Sequence, residues 1–65
     1  MYKDYAAIRD AAGYTDADVA RENNIPLSTI YDWKQRAQKK EAASMSAKTL
    51  VKIANFLKVP LDDIL

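Results

Sequence analysis

Sixty-five residues make one domain at most, and a chain this short buries only about 60% of its unfolded surface, so its core must be dense in apolar side chains. A hydrophobic share of 49% with a single glycine favours a tight helical bundle over a turn-rich β fold. Cysteine and histidine are both absent and the net charge is only +1. Disulfides, thiolate metal sites and the usual general base are thereby excluded, and any nucleic-acid partner must be argued from where charges sit rather than from their sum.

In chain order, Tyr5, Ile8 and Ala12 fall three and four apart, the stripe of a first helix. Gly13 follows where a helix C-cap wants glycine. Thr15 is the expected N-cap of a second helix, with Asp18 three residues on completing a capping box and Tyr14 and Val19 placed for a hydrophobic staple. That helix is expected to end near Asn23, with Asn24 in the left-handed conformation. Pro26 suits the first turn of a third helix that starts near Leu27 and passes Trp33. No breaker occurs from Gln35 to Ala43, so an extension by a turn or more is expected. Ser44-Met45-Ser46 reads as a loop ending in an N-cap, and Leu50, Ile53, Ala54 and Leu57 give a fourth amphipathic helix. Val59-Pro60 ends it, and Leu61 to Leu65 form a last helical turn.

Two short helices joined by a tight turn at a steep angle make a helix-turn-helix. It needs a small residue where the helices cross, here Ala20, and a turn residue that accepts positive φ, here Asn24. Val19, Ile25, Ile30 and Trp33 flank the crossing. The run from Thr15 through Val19-Ala20, Asn24-Ile25, Ser28-Thr29-Ile30 and Trp33-Lys34 resembles the Cro/repressor-type (XRE-type) helix-turn-helix family of bacterial and phage regulators. Ile8-Arg9-Asp10, Thr49 to Ala54 and Val59-Pro60-Leu61-Asp62 resemble that family's first, fourth and fifth helices in the same order. The resemblance covers essentially the whole chain. It implies an all-α, five-helix, lambda-repressor-like DNA-binding domain over residues 1–65 that usually acts as a dimer on a palindromic operator. The chain departs from the family at Asn24, where glycine is usual, and at Asn23, where an apolar residue is common. Asp16 stands where a glutamine or lysine commonly meets a phosphate. The segment from Trp33 to Thr49 is longer and lacks the customary glycine after the third helix.

At about 100° per residue, Ile30, Trp33 and Ala37 define the buried side of the third helix. The opposite side carries the expected base contacts, Leu27, Ser28, Tyr31, Asp32 and Gln35. Leu27 and Tyr31 suit thymine methyl groups, Gln35 suits adenine, and Asp32 suits a cytosine amino group or simply Arg36 at i+4. Lys34, Arg36, Lys39 and Lys40, with Lys48 at the start of the fourth helix, are the expected phosphate contacts. For the cations near the end of the third helix, complementing the helix dipole is an equal alternative.

The expected function is therefore sequence-specific double-stranded DNA binding in transcriptional regulation, repressor-like and homodimeric. Leu61, Ile64 or Leu65 is expected to form a weak apolar dimer contact. The alternative is a protein-interaction module, antitoxin-like or accessory, kept open by Asp16 and Asp32 on the expected DNA face and by the near-neutral net charge. Catalytic activity, a metal, a cofactor and a small-molecule substrate are not expected, since no nucleophile here has a histidine partner. No apolar stretch approaches the roughly 20 residues that cross a bilayer, and Asp4, Arg9 and Asp10 are unlike a signal peptide. A cytoplasmic location without membrane attachment is the expectation.

Overall fold

A computed structural model describes residues 2–41 and 45–64. Four α-helices follow one another: α1 (Tyr2–Ala11), α2 (Asp16–Glu22), α3 (Leu27–Gln38) and α4 (Ala47–Leu57). A 3₁₀ turn at Leu61–Asp63 follows α4. The fifth α-helix implied by the resemblance is thus replaced by a single turn, held by i→i+3 bonds from Asp63 N–H to Pro60 O and from Ile64 N–H to Leu61 O. Ser44 and Leu65 lie outside the described residues.

Local chemistry explains each boundary. Thr15 and Asp18 form the expected capping box, Asp18 N–H donating to Thr15 Oγ1 at 3.1 Å and Thr15 N–H to Asp18 Oδ2 at 3.0 Å. Ser46 caps α4 by accepting from the Thr49 N–H at 3.2 Å. All four helices end alike, on a left-handed residue and a pair of closing hydrogen bonds. In α1 the residue is Gly13 (φ 82°), with Tyr14 N–H donating to Arg9 O and Gly13 N–H to Asp10 O. Asn24 (φ 55°) closes α2 in the same way, with Ile25 N–H on Ala20 O and Asn24 N–H on Arg21 O. Lys40 (φ 58°) does so for α3 and Lys58 (φ 59°) for α4. α3 runs a turn past Trp33, as expected, and ends at Gln38, because Glu41 N–H and Lys40 N–H turn back onto Arg36 O and Ala37 O.

The core joins all the elements. Tyr5 of α1, Val19 and Ala20 of α2, Ile30 and Trp33 of α3, Ile53 of α4 and the final Ile64 are each at most 4% exposed. Trp33 is the largest of them, and Tyr5 and Tyr2 pack on its ring with centroids 5.2 and 5.5 Å away. Ala37, expected on the buried side of α3, is exposed. Ala12, the last of the expected first-helix stripe, is exposed too. Tyr14 turns its ring onto Phe56 of α4, with centroids 4.8 Å apart, and remains 37% exposed.

Candidate nucleic-acid interface

The α2–turn–α3 unit is fixed at its crossing by Ala20, whose small side chain lets the two helices approach, and by Ile25, which re-enters the core directly after Asn24. Asn23 adds a clasp, its Nδ2 donating to Val19 O at 2.8 Å. What leaves this unit exposed is the outer side of α3. Ser28, Asp32 and Gln35 are exposed and fall within about 60° of one another around the helix axis. Tyr31, 48% exposed, stands just to one side of that ridge.

Beneath α3 lies a polar network that the sequence reading missed. Asp16, the first residue of α2, accepts from Tyr5 Oη at 2.7 Å, Tyr2 Oη at 2.8 Å and Arg9 at 2.6 Å. Arg9 is held on its other side by Asp10 at 2.8 Å. The side chains of Arg9 and Asp16 are 14% and 10% exposed. Burial pushes the Asp16 carboxyl up, but the hydrogen bonds from Tyr5, Tyr2 and Arg9 outweigh it and hold the pKa below the usual value. Burial raises the Tyr5 hydroxyl far above its ordinary value, and the Asp16 carboxylate adds to that shift. Tyr2 is raised for the same two reasons. The expectation that Asp16 stands on the DNA face as a repelling acid is corrected here: its carboxylate is turned inward and bonded to Arg9, which it shares with Asp10. Tyr2, Tyr5 and Arg9 stand at i, i+3 and i+7 on one face of α1, a stripe whose polar tips were the available signal.

The expected base contacts separate into two groups. Ser28, Tyr31 and Gln35 stand out from the body. Leu27 is half-buried and packed against the core, and Asp32 accepts from Arg36 Nε at 2.9 Å. Among the expected phosphate contacts, Lys34, Lys39, Lys40 and Lys48 are exposed, whereas Arg36 is shared between Asp32 and Glu41.

A consistent division of charge runs through these pairs. Every ion pair among the described residues takes its cation from an arginine: Arg9 with Asp10 and Asp16, Arg21 with Asp18 and Glu22, Arg36 with Asp32 and Glu41. No lysine takes part in an ion pair among the described residues. Three of them, Lys34, Lys39 and Lys40, lie on or just past the second half of α3.

At the other end of the expected apolar dimer contact, Ile64 is fully buried in the chain's own core and Leu61 is packed against it. Ile64 therefore has no surface to offer a second copy, and Leu65 falls outside the described residues. No helix among the described residues is long and apolar enough to cross a membrane.

Comparison with known proteins returns a family model described as Transposase, matching residues 5–58. It is a helix-turn-helix DNA-binding family, though not specifically the Cro/repressor one. Neither the curated proteins nor the solved structures contain a significant match.

Proposed function

This chain belongs to the helix-turn-helix transposase family, and we propose that it binds double-stranded DNA sequence-specifically, with α3 in the major groove. The observation that carries this reading is the outer side of α3. Ser28, Tyr31 and Gln35 project from a helix whose inner face is anchored through Ile30 and Trp33, while Lys34, Lys39 and Lys40 supply cations that no carboxylate neutralises. Side chains at the start of a reading helix meet base edges, and lysines beside it position the protein on phosphates. Ser28 and Gln35 are the polar readers in this proposal, Tyr31 lies against thymine methyls, and Leu27 supports the first turn. Asp32 reads a cytosine only if it exchanges Arg36 for the base, so it contributes discrimination rather than affinity.

The chain acts in this reading by recognition alone, with no metal, cofactor or chemistry of its own. The family takes its name from an enzyme, and we assign to residues 5–58 the DNA-holding part of such a protein's work. The use we favour is regulation of transcription by two copies on a palindromic site, as the likeness to Cro/repressor regulators implies. The competing use as an antitoxin-like or accessory protein-interaction module rests on Asp16 and Asp32 and on the near-neutral net charge. Both acids are engaged by arginines, so that support is reduced.

Selection from a random duplex pool tests the proposal. An enriched motif whose binding weakens steeply with salt is the expected result. Failure to enrich any sequence, together with no binding to random duplex at low salt, would overturn it in favour of a protein partner. The mass of the complex on an enriched palindrome then reports whether two copies bind.

A further inference from the structure

We propose that the first turn of α1 joins the side of α3 that faces it to form a rail for one DNA strand, with Lys3, Lys34 and Gln38 holding its phosphates. This inference deepens the DNA-binding reading and rests on it. The starting point is angular. With Ser28, Asp32 and Gln35 as the outer ridge of α3, Gln38 stands roughly a quarter turn and Lys34 roughly a third of a turn to one side, and Arg36 roughly a fifth of a turn to the other. An α-helix with its side chains is about 10–12 Å across, and the major groove is about 12 Å wide. A helix seated there fills the groove, so its two flanks stand against the two phosphate walls.

The two flanks are built differently. On the side of Lys34 and Gln38, shallow hollows adjoin one another along α3. Lys34 borders each of them, Tyr31 and Gln38 line the middle one, and the hollow beyond it is completed by Tyr2, Lys3 and Ala6 of α1 with Ala37 of α3. Ala37 is exposed because this hollow lies open beside it. The middle and α1-side hollows carry Lys3 and Lys34 and no carboxylate. In the hollow nearer α2, Asp10 and Asp16 are both bonded to Arg9. On the opposite flank Arg36 is already divided between Asp32 and Glu41. One wall of the groove thus meets Lys3, Lys34 and a neutral donor, and the other meets an arginine already paired, with Lys39 beyond it. A phosphodiester strand fits the first: it needs point cations at its oxygens and gains from a hydrogen-bond donor such as the Gln38 amide.

Fluorescence anisotropy with a labelled duplex across a salt series decides the matter, using the intact chain, Lys3→Ala/Lys34→Ala, Lys3→Arg/Lys34→Arg and Gln38→Ala. All these positions are exposed, and a thermal melt checks that each variant folds. The double alanine variant is expected to flatten the salt dependence by roughly two units of slope. The double arginine variant should keep the slope, because it keeps both charges. Gln38→Ala should weaken binding roughly two- to tenfold with the slope unchanged, since it removes a neutral hydrogen bond. If the intact chain binds DNA and the double alanine variant keeps the full slope, the rail is wrong while the DNA-binding reading stands. Absence of duplex binding by the intact chain removes both. Binding of a polyglutamate peptide that depends on Lys3 and Lys34, without any effect of these lysines on DNA, would reassign the surface to a protein partner and overturn the proposal.

Discussion

Replacing Asp16 by alanine removes one carboxylate and strands three donors on α1: Tyr2 Oη, Tyr5 Oη and Arg9. Breaking a buried ion pair by deleting one partner costs about 3–5 kcal/mol. Arg9 keeps its bond to Asp10 at 2.8 Å, so the lower end applies, about 3 kcal/mol. A domain of this size holds only about 3–10 kcal/mol in total, and each kcal/mol moves the melting midpoint by about 4–8 °C. Asp16→Ala should therefore lower the midpoint by roughly 12–24 °C in a circular-dichroism melt. Asp16→Asn, which keeps an acceptor oxygen but loses the charge, should fall between it and the parent. A pH series adds a second readout. The folded Asp16 carboxyl lies below its usual value, so its stabilisation is fully present above the unfolded pKa near 3.9 and is lost as pH falls through the folded value. The parent should lose stability below about pH 4, and Asp16→Asn should lose less over the same window. Asp18 is also held low, chiefly by the Thr15 backbone N–H, so some acid sensitivity should persist. A midpoint for Asp16→Ala within about 2 °C of the parent, less than 1 kcal/mol would produce, would refute the view that this network fastens α1 to α2.

Trp33→Ala should unfold the domain or cost about 3–5 kcal/mol. Trp33→Phe should cost much less, because the buried indole N–H has no hydrogen-bond partner to lose; both follow from thermal melts, and a mild Trp33→Ala would remove Trp33 from the centre of the core. Ala20→Leu should overpack the α2–α3 crossing by roughly 1–3 kcal/mol and misalign α3, so parental stability with parental DNA affinity would invalidate the assigned register. Lys40→Gly should raise stability by up to about 1 kcal/mol, since glycine occupies the left-handed region without the Cβ penalty. In the proposed role it should also flatten the salt dependence of DNA binding by about one unit, and a destabilised variant would mean the helix end is held by more than backbone geometry.

Much of the fold was legible because its signals were local. The Thr15–Asp18 box, the Ser46 cap, Gly13 and Asn24 each act within a few residues, and the α4 stripe of Leu50, Ile53, Ala54 and Leu57 is buried as its spacing predicts. The errors came where a local rule met a tertiary fact. Nothing in the composition of Gln35–Ala43 stops a helix, and α3 stops because Lys40 enters the left-handed region, a conformation lysine has no intrinsic tendency to adopt. Ala37 has the spacing of a core residue, but periodicity reports only which way a side chain faces. It does not report whether another element covers that side. Ile64 looked like surplus apolar surface because the path that folds it back under α4 is not a local property.

The site was harder to read because charge was counted residue by residue instead of pair by pair. Asp16 and Asp32 weigh against a DNA face when taken as free acids. Arg9 holds Asp16 and Arg36 holds Asp32, which weakens the negative field each acid projects toward a duplex, although each arginine also serves a second carboxylate. Three arginines engage six of the nine carboxylates, so each cluster keeps one negative charge in excess, a field that salt screens beyond the Debye length of about 8 Å. What a polyanion meets is then set by the lysines, which number seven. Lysine is suited to that part, a strongly hydrated point charge on a flexible stem, whereas arginine's fixed fork, with several donors, can serve two carboxylates at once as each arginine does here. A net charge of +1 is consequently no obstacle to binding DNA: it sums arginines committed to holding the fold with lysines that remain available to phosphate.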